Sequence, residues 1–301
     1  MAGMLTTAMK SGSVVSRDGT SIGYLTIGHG PGLVILHGSM ETARSHTLLA
    51  EQLANEFTVY LPDRRGRGMS GPHRDDHNLR TEVEDLAAVL ASTGAEMVFG
   101  VSASGLVVLE AARTLPDLRK VAVYEPALLM DGTKHTDWLH RFDREMADGN
   151  VAAAMITSMD GLELGPPLFK IIPRRLLCAM TEAAMKREDR TAAAGVVTMR
   201  QLAPTLHYEA VLLAESAGAI DRFSTVDADV LLLGGTKGLP FLKAGRDALG
   251  KTLPHNRRAE LTGLQHGASS DPGPTNPGGK PEIVAQIACE VRAFFHGDQQ
   301  L

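Results

Sequence analysis

An α/β fold, with a mostly parallel, doubly wound sheet interrupted by a block of helices, is what this 301-residue sequence predicts, and three observations carry the prediction. Short apolar runs alternate with amphipathic helical patterns from about residue 13 to Pro126, the rhythm of strands joined by crossover helices. Residues 127–222 then hold helical patterns and no convincing strand. The alternation resumes at Val230 and runs to Phe295, so the helical block reads as an insertion between two strands of one sheet. The predicted organisation is a core domain of residues 13–126 and 223–297 with residues 127–222 inserted. A hydrophobic content of 44% suffices for one large core of this kind.

Taken in order, Val14–Ser16 and Ser21–Ile27 flank Arg17-Asp18-Gly19-Thr20, and Asp-Gly between alternating apolar residues predicts a tight hairpin. Leu33–Leu36 is a continuous apolar run, as in parallel strands covered on both faces. A helix over Arg44–Asn55 follows, then a strand over Phe57–Leu61 that ends at Pro62-Asp63 in a glycine-rich loop. Thr81–Ser92 places Val83, Leu86, Val89 and Leu90 on one helical face. Met97–Phe99 and Val121–Tyr124 are strand patterns, with a helix from Leu106 between them. Within the insertion His135–Ala147, Val151–Met159, Arg174–Lys186 and Val196–Ala217 read as helices. Beyond it come a strand over Val230–Leu233, a helix over Phe241–Leu249, a strand over Arg258–Leu261, and a helix over Pro281–Phe295. Ser269–Pro281, rich in Gly and Pro, is a loop.

The stretch Val98-Phe99-Gly100-Val101-Ser102-Ala103-Ser104-Gly105 sets a hydroxyl at the apex of a strand–turn–helix. Gly100 and Ser104 must be small there, because a bulky side chain two residues from the apex would collide as helix folds back on strand. The segment resembles the nucleophile elbow of the α/β-hydrolase superfamily, with Ser104 where a glycine is usual. Leu33-Val34-Ile35-Leu36-His37-Gly38, Pro62 to Ser70, Val230-Leu231-Leu232-Leu233-Gly234-Gly235 and Gly263-Leu264-Gln265-His266-Gly267 resemble further pieces of that superfamily, in the same order. The resemblance spans roughly residues 13–296 and implies that the insertion is a helical cap over the active site. Chemistry is then expected at the carboxyl ends of the strands.

A serine hydroxyl is a poor nucleophile unless a base takes its proton and an acid orients the base. The resemblance makes Ser102 the nucleophile and His266, alone among eleven histidines, the base. The acid departs from the common pattern. After the strand at 230–233 the chain reads Gly234-Gly235-Thr236-Lys237-Gly238-Leu239, with no carboxylate, and Asp227 and Asp229 precede that strand. Glu125, at the carboxyl end of the strand after the elbow helix, is the expected acid, as in similar haloalkane dehalogenases and zearalenone-type lactonases; its competing role is to hold the first turn of the cap. Asp271, or a dyad without acid, is the fallback. The backbone N–H groups of Ala103 and Ser39 are the expected oxyanion hole. His37 is expected to brace that loop, and His37, Met40, Met130 and Trp138 are the candidates for substrate contact. Seven of the thirteen methionines lie in the insertion (Met130, Met146, Met155, Met159, Met180, Met185, Met199), either as a pliable lining for a hydrophobic substrate or as core fillers.

A net charge of −5 and scattered basic residues argue against nucleic acid as a partner. Asp63-Arg64-Arg65-Gly66-Arg67-Gly68-Met69-Ser70 lacks the ending of a phosphate loop and reads as structure. No run of about 18 apolar residues predicts a membrane span, and Met1–Ser13 does not resemble a secretory signal. Cys178 and Cys289 read as two reduced, buried thiols of a cytoplasmic protein. No cluster with metal spacing and no nucleotide fingerprint is found, so neither metal nor cofactor is expected. The expected partner is a small-molecule substrate; oligomeric state is not legible, and a homodimer stays open. The expected activity is cofactor-free hydrolysis of a carboxylic ester or lactone of a hydrophobic small molecule through an acyl-enzyme. The alternatives are hydrolysis of a C–C bond in a β-diketone or dienol, and a non-hydrolytic cyclase or ligand-binding protein.

Overall fold

Eight strands form one sheet in the order β1-β2-β4-β3-β5-β6-β7-β8, and β2 alone runs against the others. The strands are β1 (Lys10–Val15), β2 (Ser21–Gly28), β3 (Gly32–Leu36), β4 (Thr58–Pro62), β5 (Met97–Val101), β6 (Lys120–Tyr124), β7 (Asp229–Gly235) and β8 (Asn256–Leu261). The structure, a computed structural model, describes residues 9–130, 137–162, 164, 171–193, 195–272 and 278–297. The hairpin joining β1 to β2 turns as predicted: Gly19 takes a φ of 89°, and the Asp18 carboxylate accepts the Thr20 N–H at 3.0 Å.

The continuous apolar runs of the central strands follow from cover on both faces. Alternate residues enter opposite cores: Val34 and Leu36 of β3, Val121 and Val123 of β6, and Val230 and Leu232 of β7 pack on one side. Leu33 and Ile35, Ala122 and Tyr124, and Leu231 and Leu233 pack on the other. The first layer is closed by α2 (Leu79–Thr93) and α3 (Ala103–Thr114), the second by α1 (Thr47–Leu53) and α10 (Pro281–His296). Each fully buried Val or Leu contributes about 1.5–3 kcal/mol relative to exposure, so these strands hold the frame against strain at their ends. Strand β8 at the sheet edge carries exposed Arg257, Arg258 and Glu260, charges that discourage edge-to-edge pairing.

Between β6 and β7 lie α4 (Leu139–Ala147), α5 (Val151–Gly161), α6 (Arg174–Thr191), α7 (Met199–Leu202) and α8 (Thr205–Ser216), and between β7 and β8 lies α9 (Pro240–Thr252). The helix expected over 196–217 is two helices, because Pro204 has no N–H to continue the first. That expected over 44–55 begins as a 3₁₀ turn, Ala43–His46, whose Ala43 N–H is taken by the Asp63 carboxylate at 2.8 Å. Residues 135 and 136 of the first predicted insertion helix lie outside the described residues.

The insertion is tied to the sheet by the arginine-rich loop after β4. Arg64 donates to both carboxylate oxygens of Glu82 on α2 (3.0 and 2.9 Å) and to Glu209 on α8 (2.7 Å). Arg67 also donates to Glu209, and Arg65 bridges Asp85 and Asp18. Arg64, Arg65 and Arg67 are all buried. Their guanidinium groups are occupied by four carboxylates from three segments (the β1–β2 turn, α2 and α8), which is the structural role read from the sequence. Neither cysteine is the buried thiol expected: Cys178 on α6 is half-buried and Cys289 on α10 is exposed. Among the described residues no helix is long and apolar enough to cross a membrane.

Candidate active site

Strand order reverses between β3 and β5, which lie side by side while the chain leaves them toward opposite edges of the sheet. The loops that follow these two strands therefore part and leave a crevice at the carboxyl ends, where ligands bind in open α/β sheets. Ser102 stands directly after β5, with φ 54° and ψ −121°, a backbone conformation that non-glycine residues rarely adopt. Three bonds hold it there: its N–H to the Tyr124 carbonyl (3.0 Å), and its carbonyl to the N–H groups of Gly105 (2.9 Å) and Ala127 (3.0 Å). The predicted need for small neighbours is met in two ways. A Cβ on Gly100 would stand 2.6 Å from Val108 and 2.8 Å from the Ser104 carbonyl. Ser104 is fully buried and donates its hydroxyl to the His37 carbonyl, so the serine that replaces the usual glycine is a tie to the neighbouring loop.

His266 opens a 3₁₀ turn, His266–Ser269, after β8. Its Nε2 lies 3.1 Å from Ser102 Oγ and its Nδ1 2.8 Å from Glu125 Oε2. A carboxylate only accepts, so Nδ1 carries the proton and Nε2 is free to take one from Ser102. The other Glu125 oxygen accepts the Gly235 N–H at 3.0 Å, and Glu125 itself is buried at φ 45°. Tyr124 donates its hydroxyl to the Gln265 carbonyl at 2.8 Å, which fixes the residue before the histidine. Burial first, and then the nearby Glu125 carboxylate, raise the Tyr124 phenol well above its ordinary range, so it stays a donor.

Facing Ser102, the loop after β3 carries His37 to Thr42. His37 Nδ1 is 2.9 Å from the Gly38 carbonyl, and its Nε2 accepts the Arg64 N–H at 3.1 Å. Burial, then the Arg67 and Arg64 charges, hold this imidazole neutral, far below the usual histidine range. Because the Gly38–Ser39 peptide is trans, fixing its carbonyl toward His37 turns the Ser39 N–H the opposite way. Ala103 is the first residue of α3, where the N–H groups have no partner within the helix. Ser39, Met40, Ser102, Ala103 and His266 all line one cavity of about 790 Å³. Its far wall comes from the insertion and is mainly apolar, through Leu162, Val197, Met199, Leu202, Leu206 and Leu213; Glu41, Arg44, Glu188, Lys237 and Asp271 bring charge to its lining.

Residues 33–275 match the family model described as the Alpha/beta hydrolase family. The chain belongs to the α/β hydrolase family. It is 27% identical over 241 residues to a pimeloyl-[acyl-carrier protein] methyl ester esterase of Xanthomonas axonopodis pv. citri (strain 306), covering 80% of this chain and 89% of that protein. The protein of the same name from Xanthomonas campestris pv. campestris (strain B100) is 35% identical over 120 residues, 40% of this chain, and the chain spans 46% of that relative's length. A solved α/β hydrolase from Sphaerobacter thermophilus DSM 20745 superposes with a TM-score of 0.72 at 27% identity, covering 93% of this chain and all (100%) of that one. The enol-lactonase from Burkholderia xenovorans LB400 shares the fold, with a TM-score of 0.66 at 17% identity over 95% of this chain and 100% of that one.

In this α/β hydrolase the loop after β7 has no carboxylate, and the space is filled from the neighbouring strand. A Cβ on Gly238 would stand 1.9 Å from Glu125 Oε1, so the glycine leaves room for the glutamate. Asp271, the alternative acid, is bonded elsewhere: its carboxylate accepts the Leu48 N–H at 3.0 Å at the start of α1.

Of the four residues expected to contact substrate, Met40 alone lies in the cavity lining, at a φ of 56°. His37 is beneath the loop, with both ring nitrogens taken by backbone groups. Trp138 is buried within the insertion, edge-on to Phe142 at 5.6 Å, and Met130 is 38% exposed outside the cavity. Only Met199 of the seven insertion methionines lines the cavity; Met155 and Met185 are core fillers, and Met180 is exposed. The wall is leucine and valine instead, placed by how α7 and α8 pack, and helical periodicity carries no signal for that. The sequence reading also passed over Glu41, His46 and Ser270, which are bonded to one another beside the loop after β3.

One spatial group has metal-ligand character although its sequence spacing gave no warning: His73, His77 and Glu82 bring ligand atoms within 4.8 Å of one another. Both Glu82 oxygens already accept from Arg64, and the buried Arg64 and Arg67 cations oppose a further cation there. The donor set does not fit a metal.

Proposed function

We propose that this chain is a serine hydrolase that cleaves the carboxylic ester or lactone of an apolar small molecule through an acyl-enzyme. The observation that carries the reading is the unbroken relay Ser102–His266–Glu125, at 3.1 and 2.8 Å, opening on a mainly apolar cavity. Ser102 Oγ attacks the ester carbonyl carbon while His266 Nε2 takes the hydroxyl proton. The carbonyl oxygen becomes an anion and is met by the N–H groups of Ala103 and Ser39. Collapse breaks the bond to the alkoxy oxygen, which leaves with the proton now on His266. Water then attacks the acyl-enzyme, again giving its proton to His266, and the acid product departs as that proton returns to Ser102 Oγ. Glu125 keeps Nδ1 protonated throughout and stabilises the imidazolium that forms twice per cycle.

A serine at position 102 also excludes the alkyl-ester chemistry of dehalogenases and epoxide hydrolases, which needs a carboxylate there. The names of the relatives, a methyl ester esterase and an enol-lactonase, support acyl transfer to water. Residues 127–222 serve as the cap in this reading, since their leucines and valines supply the wall facing Ser102. The test is intact mass after incubation with a fluorophosphonate, on wild type and on Ser102→Ala, followed by a panel of esters and lactones. A single adduct on wild type and none on the variant is the expected result. A folded wild type that takes no adduct and turns over no ester would overturn the proposal.

A further inference from the structure

Behind the oxyanion loop lies a second histidine–carboxylate pair that the reaction above does not use. His46, with its side chain fully buried, sets Nε2 3.1 Å from Glu41 Oε2 and Nδ1 3.0 Å from the Ser269 carbonyl. A carbonyl and a carboxylate both only accept, so each ring nitrogen of His46 holds a proton and the ring is an imidazolium. Glu41 is surrounded by donors in turn: the Gly38 N–H at 2.7 Å, the His46 Nε2–H, and the Ser270 hydroxyl. That donor set fits an ionised carboxylate. Burial pushes the Glu41 carboxyl up, but the facing imidazolium and its hydrogen bonds outweigh this and bring it down to about 2.

The pair joins the two segments that must cooperate in acyl transfer. On one side it holds the N–H of Gly38, the residue before the Ser39 donor. On the other it holds the carbonyl of Ser269 and the hydroxyl of Ser270, at the end of the turn that His266 begins. The next residue reinforces the tie, with the Asp271 N–H donating to the Ser45 carbonyl at 2.7 Å. The contact with His37 already clamps the peptide after Gly38, and Glu41 clamps the one before it. The charges matter as well as the bonds. Glu41 lines the same cavity as Ser102, and an unpaired carboxylate there would oppose the oxyanion, whereas the neutral pair does not.

Resting on the serine-hydrolase reading, we propose that Glu41 and His46 are positioning residues: an internal ion pair that sets the Ser39 donor and locks it to the turn bearing His266. The groups facing His46 are the carboxylates of Glu41 and Asp271, which favour its charged form; Glu41 faces His46, the neutral His37 and Ser270. Desolvation works against the charge on His46, yet the facing carboxylates leave its pKa above the ordinary histidine value. The pair is lost as pH rises through that raised value, which adds an alkaline limit to turnover.

The experiment is kcat and KM for an uncharged ester from pH 6 to 10, on wild type, Glu41→Gln and Ser270→Ala, with active sites counted by fluorophosphonate titration. Glu41→Gln is expected to lower kcat per titrated site by about 10- to 100-fold, somewhat less than the loss on deleting an oxyanion donor, with KM within about threefold. Its alkaline limb moves to lower pH, since the amide no longer holds the proton on His46. Ser270→Ala, which removes one uncharged link, lowers kcat by roughly three- to tenfold on the same ground. A structural role alone would reduce the titrated fraction and leave kcat per site and the alkaline limb where they were; that result overturns the inference. Should Glu41→Gln not fold, Ser270→Ala and the ¹⁵N spectrum of the wild-type histidines at pH 7.5 decide it: a His46 with a single ring proton refutes the ion pair. Failure of wild type to take the label or cleave any ester strikes the serine-hydrolase reading itself, and is distinguishable because the spectrum needs no activity.

Discussion

Glu125→Gln tests the relocated acid more sharply than any other change, because the structure fixes how the amide can sit. One Glu125 oxygen accepts the Gly235 N–H at 3.0 Å and the other faces His266 Nδ1 at 2.8 Å. If the glutamine keeps its carbonyl on Gly235, its NH₂ faces Nδ1, which must then give up its proton. His266 becomes the Nε2–H tautomer and cannot receive the Ser102 proton. If the amide flips, the correct tautomer survives but two donors meet at Gly235, and a buried N–H left without an acceptor costs about 1–3 kcal/mol. That cost alone corresponds to a factor of roughly 5 to 150, since each 1.36 kcal/mol is tenfold in rate. The lost negative charge beside the imidazolium adds to it, so kcat should fall by about 10²- to 10⁴-fold, in line with the loss when a triad aspartate becomes asparagine. The assay is kcat on a chromogenic ester, divided by fluorophosphonate-titrated sites, with Ser102→Ala as the blank. Turnover within about threefold of wild type, at an unchanged requirement for Ser102 and His266, would refute the assignment of Glu125 as the acid.

Gly238→Ala should act on the same carboxylate from the other side: its Cβ would stand 1.9 Å from Glu125 Oε1, so kcat per titrated site falls while the fold persists by circular dichroism. Glu209→Ala strips the carboxylate that Arg64 and Arg67 share between sheet and insertion. Two buried cations are then undercompensated, and chemical denaturation should show a loss of about 3–5 kcal/mol. An unchanged midpoint would mean that water or Glu82 takes over. Leu206→Trp fills part of the cavity wall, so KM for long acyl chains should rise well above that for acetate esters; equal changes for both would place the acyl chain elsewhere. His73 stacks on Tyr208 at 3.8 Å, and burial, with the nearby His77 and Arg67, lowers its pKa to about 3. Between the ordinary value near 6.5 and about 3 the unfolded chain binds a proton there that the folded chain does not. Stability therefore falls as pH drops through that window, and His73→Phe should flatten the fall by about one proton in denaturation measured against pH.

What the sequence alone determined follows from local physics. Strand–turn–helix around Ser102 is written in neighbouring residues, since the smallness of Gly100 is needed within one turn of chain. The histidine after β8 and the lack of any carboxylate over residues 234–239 are also read along the chain, but it is the resemblance to the α/β-hydrolase superfamily that gives them a role and points to Glu125 at the end of β6. The paired cores were legible too, because a strand covered on both faces has to be apolar at every position. Tertiary structure decided whatever depends on the rotation of one helix against another. Trp138 and Met130, chosen by residue type, do not line the cavity, while Leu202 and Leu206 do, because the packing of α7 and α8 against their neighbours sets which of their apolar residues meet it. The same holds for charge over distance. The sequence marked Arg64-Arg65-Gly66-Arg67 as structural but could not name Glu209, 145 residues from Arg64, as the partner. Nor could it show that Gly238 is a glycine because Glu125 occupies its space. Such complementarity exists only once two strands stand side by side, and no local preference along the chain encodes it.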